Sequence, residues 1–374
     1  MSTIAIVESS FVPSSSSAEP SAIATDTEGV PDLTETGYDC VRYMGPCNGG
    51  HVYLGKEKKN LKDFVAIKKF LIDDIDDYTL ISTEVSNLRQ MRHQNILELM
   101  KCFVYDNSIW MISQVMNLGS LYDIVFNYKK CGISERAAAG ITHQVLDALD
   151  YLHSRRYIHR DLKPKHILLD SSGNVKLTGF RFMIELNRHL DCVFEFNTNF
   201  QNQIYYLAPE VLAQNLHGYT SKSDIYMLGI TICEAINGVI PFAELDPLEM
   251  LHRKLNGQVP RPVDATSLKD DEALGIDISQ RPREHLTRTF SPEMHDFIAN
   301  CLTYEPHLRN SAIDLKDSPW LGTKANKSLR PIDISEALEL DYTHFDLSLW
   351  EQQPVLPTEP EQQYDITFDY SPIS

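Results

Sequence analysis

The two ends of this 374-residue chain have no basic side chains. Residues 1–36 contain six acidic residues and no lysine or arginine, and residues 331–374 contain ten acidic residues and again no base. The stretch between them is nearly neutral, with 34 basic and 36 acidic side chains. The formal charge of −18 therefore belongs to the ends, and this acidic balance argues against nucleic acid or an anionic membrane surface as a partner.

Other absences narrow the class of protein. No run of 18 apolar residues is present, and the N-terminal segment lacks the basic region and extended apolar core of a secretory signal or transit peptide. Seven cysteines, an odd number without C-x-x-C spacing, indicate reduced thiols in a cytosolic or nuclear compartment. No repeat of 20–50 residues occurs, which argues against a solenoid.

Composition and periodicity divide the chain into three parts. Residues 1–37 are too poor in apolar side chains to offset the entropy of ordering and are predicted to be a flexible acidic tail. Residues 323–374 form a second acidic tail, and residues 38–322 carry the folded domain. Because a strand-rich stretch precedes long helical patterns in that domain, we predict an α+β fold with a small β-rich lobe and a larger helical lobe.

Individual elements follow from the hydrophobic pattern. Predicted strands are Val52–Leu54, Phe64–Ile67, Ile109–Ser113 and a hairpin of His166–Leu169 with Asn174–Leu177. A helix-like stretch spans Leu80–Arg92, with Ile81, Val85 and Leu88 at helical spacing. In the large lobe, Ser134 is the expected N-cap of a helix with an apolar face at Ile141, Val145, Leu149 and Leu152, and Asp224–Ile236 is apolar enough for a central helix.

A glycine-rich segment precedes the strand at Val52. Gly45 and Gly50 occupy the first and third glycine positions of a G-x-G-x-x-G-x-V phosphate loop, and Cys47 takes the second. Alone, this segment fits a glycine-rich hairpin turn at least as well as a phosphate loop.

Lys68 ends the apolar strand Val65-Ala66-Ile67-Lys68, which has the form of the V-A-I-K motif of protein kinases. Glu84 falls within the apolar face of the following helix, where a carboxylate is costly unless it is paired. Lys68 is the natural partner for Glu84, the alternative being a solvated lysine on the strand.

The segment Tyr157–His166, with the sequence YIHRDLKPKH, matches the catalytic loop of protein kinases over ten residues. Ala208-Pro209-Glu210 has the form of the motif that ends an activation segment. With these motifs in order, residues 38–322 resemble a eukaryotic protein kinase domain. The resemblance implies structural roles for His159, Arg160, Glu210, Asp224 and Arg309, the last pairing with Glu210. It also implies a nucleotide site that includes Gly45, Gly50, Val52, Ala66, Lys68, Glu84, Gln114, Met116, His166 and Arg181.

The metal anchors of a kinase are missing from this sequence. Kinases hold Mg²⁺ with the Asp of D-F-G and the Asn of the catalytic loop, which are oxygen ligands suited to a hard cation. Here Gly179-Phe180-Arg181 stands in place of D-F-G, and His166 stands in place of the Asn. Glycine offers no ligand and imidazole is a poor Mg²⁺ ligand, so phosphoryl transfer should fall by roughly a thousandfold or more. We therefore predict a pseudokinase with no metal ligands and no catalytic residues.

Two alternatives stay open at this site. A divergent enzyme could recruit its metal through phosphate and water, and the presence of Asp161, Lys163 and Lys68 keeps that interpretation alive, although Asp161 can also serve only to hold its loop. Arg181 either reaches the phosphates of a nucleotide in place of magnesium or is a solvated loop residue. On the first interpretation, ATP binds without a required metal through Lys68, Arg181 and the backbone of Gly45–Gly50.

The large lobe resembles one family of pseudokinases in particular. Gly179-Phe180-Arg181 and the Lys-x-His ending of the catalytic loop are similar to the STE20-related adaptor (STRAD) proteins. So are Ser223–Glu234 with Gly238–Phe242, Pro209–Leu212 with Gln214–Tyr219, and Met250–Gly257. In the small lobe the likeness is to kinases in general.

The resemblance implies an allosteric activator rather than an enzyme. STRAD proteins bind Ser/Thr kinases of the liver kinase B type as if these were substrates, join a helical-repeat scaffold, and keep the partner kinase in the cytoplasm. The partner surface would include the activation segment Phe182–Tyr206, where Phe194, Phe196, Asn197, Asn199 and Phe200 suit either an interface or packing of the loop on itself.

Two departures from that family bear on function. Asp161 is present although family members often lose it, so a weakly active or metal-atypical Ser/Thr kinase is the alternative function, and a passive scaffold is a third. The family contacts its scaffold through a terminal Trp-Glu-Phe, whereas the only Trp-Glu here is Trp350-Glu351. Trp350, Tyr364, Phe368 and Tyr370 are candidate anchors in a tail that could equally be unanchored.

Overall fold

The structure of the chain, a computed structural model, describes residues 37–47, 49–75, 78–186, 191–196, 203–273 and 281–351. Within them a β-rich lobe precedes a helical lobe, which confirms the predicted α+β bilobal fold. The N-terminal tail and the tail anchors Tyr364, Phe368 and Tyr370 lie outside the described residues, as do Asn197, Asn199 and Phe200.

The small lobe is built on one antiparallel five-stranded sheet. Its strands are β1 (Tyr38–Cys47), β2 (Gly50–Glu57), β3 (Asn60–Leu71), β4 (Leu99–Tyr105) and β5 (Ser108–Gln114), in the order β1-β2-β3-β5-β4. The buried side chains of Tyr38, Val65, Ile67, Trp110 and Ile112 form a hydrophobic cluster in this lobe. The predicted strands lie inside β2, β3 and β5, which extend further because exposed polar residues can also join a ladder.

Helix α1 (Tyr78–Gln90) lies between β3 and β4 and buries Ile81, Glu84 and Leu88. The sequence predicts this helix two residues late at each end, because the apolar pattern of its centre does not mark its termini. The amide of Met91 bonds to the carbonyl of Leu88, which closes the last turn before Arg92.

The large lobe surrounds helix α5 (Lys222–Asn237), in which every residue except the first is buried. Its short strands are β6 (Gly119–Ser120), β7 (Tyr157–Ile158), β8 (Ile167–Leu169), β9 (Val175–Leu177) and β10 (Ile184–Glu185). Its helices are α2 (Leu121–Asp123), α3 (Glu135–Ser154), α4 (Pro209–Leu212), α5 (Lys222–Asn237), α6 (Pro247–Leu255), α7 (Ala265–Ala273), α8 (Arg283–Thr287), α9 (Pro292–Cys301) and α10 (Ala312–Lys316).

Local signals place two of these elements. The hydroxyl of Ser134 accepts a hydrogen bond from the amide of Ala137, so Ser134 caps α3 as predicted. The predicted hairpin forms as β8 and β9, but His166 belongs to a 3₁₀ turn, Pro164–His166, that precedes β8. Proline favours the start of such a turn, and His166 is held by the catalytic loop rather than by the sheet.

Helices continue past residue 322. They are α11 (Lys324–Lys327), α12 (Pro331–Leu338) and α13 (Leu347–Glu351), with a 3₁₀ turn at Tyr342–Phe345. Helix α12 packs on α3, and α13 contacts β1 of the small lobe.

All seven cysteines are free thiols. Among the described helices, none combines the length and the apolar content that crossing a bilayer requires.

Candidate functional site

The glycine-rich segment forms the tight hairpin between β1 and β2, with Cys47 paired to Gly50. A Cβ added at Gly50 would lie 2.4 Å from the carbonyl oxygen of Lys69 and 2.6 Å from the ring of Phe70. Glycine is therefore required where the hairpin lies against β3. The geometry is that of a hairpin turn, and it places backbone groups above the end of β3, where Lys68 stands.

Lys68, Glu84 and Arg181 form a three-residue ion cluster between the lobes. Lys68 Nζ lies 2.9 Å from Glu84 Oε1, which confirms the pair expected from the sequence, and Arg181 Nε donates to Glu84 Oε2 at 2.7 Å. Both cations also face the ring of Phe70, with Lys68 Nζ at 5.0 Å and Arg181 Cζ at 5.2 Å from its centre. Burial raises the pKa of Glu84, but Lys68 and Arg181 outweigh it and lower that pKa to about 2.

Arg181 is not the solvated loop residue that one interpretation of the sequence allows. Its side chain is only 13% exposed, and its Nη2 atom is buried without a hydrogen bond within the described residues. Next to it, Asn87 of α1 donates to the carbonyl of Phe180 at 2.9 Å, and the Phe180 ring is buried against His159. Helix α1 therefore holds the Gly179–Arg181 segment from the side of the small lobe.

His166 fills the space in which a side chain at position 179 would lie. Gly179 has a φ of +87°, and a Cβ built on it would lie 2.3 Å from His166 Nδ1. The imidazole is fixed there because its Nδ1 donates to the carbonyl of Asp161 at 2.7 Å. Burial lowers the pKa of His166 to about 3, so the ring is neutral. Two neighbouring positions thus offer no carboxylate or amide oxygen, and the site does not suit Mg²⁺.

The residues expected from the catalytic loop are otherwise in place. Asp161 is buried and accepts from Lys163 Nζ at 2.8 Å. Burial raises the pKa of Asp161, although Lys163 opposes the rise. His159 Nε2 donates to the carbonyl of Thr178, and burial lowers the pKa of His159 to about 4. Asp161 is therefore held inside the loop, which agrees with its structural role and leaves a chemical role open.

Asp224 anchors the catalytic loop from the first turn of α5. Its carboxylate accepts from the amides of His159 and Arg160, both at 2.9 Å, and from His153 Nε2 at 2.8 Å. Burial opposes ionisation, yet these hydrogen bonds keep the pKa of Asp224 below its ordinary value. A buried carboxylate with three donors therefore holds the loop against α5.

The described parts of the activation segment are tied to the large lobe at two places. Arg160 donates to the carbonyls of Phe182 and Glu195, and Tyr219 Oη donates to the carbonyl of Glu195 at 2.7 Å. Phe196 packs on the ring of Tyr219, whereas Phe194 is 51% exposed. Of Phe194 and Phe196, one therefore packs on the lobe and one faces solvent.

The end of the activation segment depends on a buried lysine that sequence reasoning missed. Lys254 of α6 is fully buried, and its Nζ donates to the carbonyls of Tyr205 and Leu207 at 2.9 and 2.7 Å. Next to it, Arg309 pairs with Glu210 through two bonds of 2.7 and 2.8 Å, as predicted. The helical pattern contained the signal, because Lys254 lies four residues after the buried Met250, on the same face of α6.

Replacing this lysine tests its role. Lys254→Met keeps the bulk of the side chain but leaves buried carbonyls unsatisfied, so we expect a loss of about 2 kcal/mol of stability and faster hydrogen exchange at residues 203–207. The neighbouring Arg253→Met is the matched control, since the Arg253 side chain pairs with exposed Glu249 at the surface. Equal denaturation midpoints and equal exchange in the two variants would contradict the role of Lys254.

The remaining nucleotide candidates line one face of the small-lobe sheet and its last strand. Val52 is the cross-strand partner of Lys68, and Ala66 lies two residues before it, so these three share a face. Gln114 ends β5, and Met116 is buried just beyond it. The structure thus places Val52, Ala66 and Lys68 on one face of the sheet, beside the glycine hairpin. Gln114 lies further along the sheet, as the cross-strand partner of Val65.

Comparison with known proteins places the chain beside proteins that are named as kinase adapters. Residues 38–321 match the protein kinase domain family. The chain is 72% identical to the STE20-related kinase adapter protein strd-1 of Caenorhabditis elegans, over 94% of this chain and 91% of that protein. It is 35% identical to the STE20-related kinase adapter protein alpha of Gallus gallus, over 65% and 68% of the two chains. The corresponding beta protein of Homo sapiens is 32% identical over 72% and 70%.

Proposed function

Because this chain belongs to the STE20-related kinase adapter proteins, within the protein kinase domain family, we propose that it is a pseudokinase adaptor that binds ATP and allosterically activates a Ser/Thr kinase of the liver kinase B type. A kinase partner follows from the adapter family itself. In this proposal the complex also contains a helical-repeat scaffold and keeps the partner kinase in the cytoplasm.

The packing of His166 against Gly179 is the observation that carries the non-catalytic part of the proposal. Phosphoryl transfer needs a metal or an equivalent charge at the transferred group. The two positions that would supply oxygen ligands hold a neutral imidazole and a residue without a side chain. The cleft is therefore suited to holding a nucleotide as a structural ligand and not to phosphoryl transfer.

ATP without a required metal is supported by the charge of the ion cluster. Lys68 and Arg181 carry two positive charges against the single carboxylate of Glu84, and Arg181 Nη2 has no hydrogen bond among the described residues. An unsatisfied guanidinium N–H is suited to a phosphate oxygen. The backbone of the glycine hairpin would cover the phosphates from the side of the small lobe.

Partner binding is supported by the described parts of the activation segment. Arg160 and Tyr219 hold Glu195, and Lys254 holds the end of the segment. Parts that are already held in place cost less entropy on binding than mobile ones, so a docking surface that includes them is partly prepared in advance. Support for the scaffold is weaker, because Trp350 is engaged within the chain, where its ring lies against Arg42.

The alternative, a weakly active or metal-atypical kinase, is favoured by one specific contact. Asp161 and Lys163 remain paired at 2.8 Å in the arrangement that would orient a substrate hydroxyl. Radiolabelled phosphate transfer that Asp161→Asn abolishes would favour this enzyme over the adaptor.

Metal-free binding of ATP is tested in EDTA with three proteins: the wild type, Arg181→Ala and the control Arg92→Ala. The control removes an exposed arginine. We expect ATP to raise the melting temperature of wild type and control by several degrees and that of Arg181→Ala by much less, because ligand binding to the folded state stabilises it. Wild type should also raise the rate of its purified partner kinase. No ATP stabilisation rejects metal-free binding, an equal shift for Arg181→Ala rejects its role, and an unchanged partner rate indicates a passive scaffold.

A further inference from the structure

The segment Pro331–Glu351 is firmly attached to the large lobe. Ile334 of α12 lies over Gly140 of α3, where an added Cβ would come within 2.4 Å of its side chain. The backbone of α12 approaches Gly173 so closely that a Cβ there would lie 1.7 Å from the carbonyl oxygen of Pro331. Ser335 Oγ also donates to the carbonyl of Ser171 at 2.7 Å. Two glycines thus provide the room in which α12 docks.

The same segment then crosses the connection between the lobes. Phe345 is 5% exposed and lies 5.2 Å from the ring of Tyr128, centre to centre. Its carbonyl accepts from Asn117 Nδ2 at 2.8 Å, and Asn117 lies three residues after the last small-lobe strand. Because Asn117 also accepts from the amide of Ser171, this side chain joins the segment to the connection and to the large lobe at once.

The segment ends on the small lobe. The guanidinium carbon of Arg42 in β1 lies 5.1 Å from the centre of the Trp350 ring, and Trp350 Nε1 donates to the carbonyl of His344 at 2.7 Å, which fixes the ring. Lys56 of β2 pairs with Glu351 at 2.7 Å. A cleft of about 520 Å³ lies beside this contact, with Arg42, Tyr128, Thr343, His344, Leu349 and Trp350 along its walls.

The segment is held more strongly on the large lobe than on the small lobe. Buried packing holds the segment on the large lobe, whereas its contact with the small lobe, in the part of the chain that the structure describes, includes a cation–π pair and an ion pair with half-exposed Glu351 beside an open cleft. Contacts of that kind are individually weak and can open without unfolding the domain. β1 and β2 are also the strands that carry the glycine hairpin.

We propose that residues 331–351 form a strap that ties the small lobe to the large lobe and thereby favours the closed arrangement of the lobes. Release of the strap end frees β1 and β2, and with them the glycine hairpin, to move away from the catalytic loop. If the proposed nucleotide binding holds, the strap and the nucleotide stabilise the same closed arrangement, so each strengthens the binding of the other.

The strap itself is tested without nucleotide. In the double variant Trp350→Ala/Glu351→Lys, we expect hydrogen exchange of residues 38–57 to rise roughly fivefold, while the core of α5 stays protected. The matched control is Glu336→Lys, a charge reversal in α12 at an exposed residue away from the small lobe. Gly140→Ala is an independent variant, since its methyl group displaces Ile334 at the other end of the strap. Unchanged exchange at 38–57 in both test variants overturns the strap.

Two further arms separate the strap from the proposed nucleotide site. Lys56→Glu combined with Glu351→Lys re-forms the ion pair in reverse and should restore slow exchange relative to Glu351→Lys alone; no recovery overturns the assigned contact. The Trp350→Ala/Glu351→Lys variant should bind ATP roughly fivefold more weakly than the Glu336→Lys control. Faster exchange without any ATP binding to the wild type leaves the strap standing and rejects the nucleotide proposal, whereas equal ATP affinities reject the coupling.

Discussion

Gly179→Asp, made alone, is expected to destabilise the protein and to give no magnesium binding. The new Cβ would lie 2.3 Å from His166 Nδ1, and the imidazole cannot move away without losing its bond to the carbonyl of Asp161. Overpacking of this kind costs about 1–3 kcal/mol. The metal anchors are therefore lost as a pair, because one replacement occupies the space that the other left.

The matched control for this substitution is Gly257→Asp. Gly257 has a similar positive φ of +78°, but an added Cβ there meets nothing closer than 3.8 Å. The control isolates the backbone cost, which Asp tolerates better than most residues. We expect denaturant melts to show a clearly larger loss for Gly179→Asp than for Gly257→Asp, and equal losses would contradict the packing argument.

The double variant His166→Asn/Gly179→Asp should behave differently from either single change. It removes the imidazole, makes room for the new carboxylate and supplies the two oxygen ligands that a hard cation prefers. We expect ATP to raise its melting temperature more with Mg²⁺ than with EDTA, an effect absent from wild type and from Gly179→Asp. Magnesium dependence in the Gly179→Asp protein alone would show that His166 does not block the site.

Glu84→Gln is expected to cost about 3–5 kcal/mol, because removing one partner of a buried ion cluster leaves the others uncompensated. Lys68 and Arg181 would then face each other beside Phe70 without a carboxylate between them. The matched control is Glu98→Gln, which breaks the exposed pair with Arg92 and should change stability by about 1 kcal/mol or less. Similar urea midpoints for the two variants would show that the cluster does not hold α1 in place.

The same cluster predicts the direction of a pH effect. The pKa of Glu84 is about 2 in the folded chain against 4.5 as its ordinary value. A depressed carboxylate pKa contributes stability that is fully present above about pH 4.5 and is lost as the pH falls toward 2. The gap in stability between wild type and Glu84→Gln should therefore narrow on acidification across that range, as urea melts at pH 6 and pH 3 would detect. A constant gap would mean that Glu84 titrates normally.

The sequence identified much of the site because kinase motifs keep fixed chemistry at fixed spacing. It predicted the pairs Lys68–Glu84 and Glu210–Arg309, which join residues 16 and 99 positions apart. A buried charge must have a partner, so a carboxylate on an apolar helix face can be matched to a nearby lysine from the residue pattern alone. Helix ends were less predictable, since α1 begins and ends outside its apolar pattern.

Arg181 shows where this reasoning stops. The sequence left a phosphate ligand and a solvated loop residue as alternatives. The structure excludes the solvated residue, because the guanidinium donates to Glu84 and is largely buried, and binding to phosphate stays a proposal. The sequence shows that Arg181 lies two residues after Gly179. It does not show where the long Arg181 side chain points, because that direction depends on Glu84 of helix α1, which is distant in sequence and close in space.

The sequence by itself determined the bilobal α+β class, the family resemblance and the loss of both metal ligands, because these are matters of residue type and local pattern. Only the tertiary structure decided that His166 occupies the space beside Gly179, that Lys254 holds the activation segment, and that Trp350 and Glu351 reach the small lobe. Each of these facts joins segments distant in sequence, and such contacts depend on how whole elements pack, which local residue patterns do not encode.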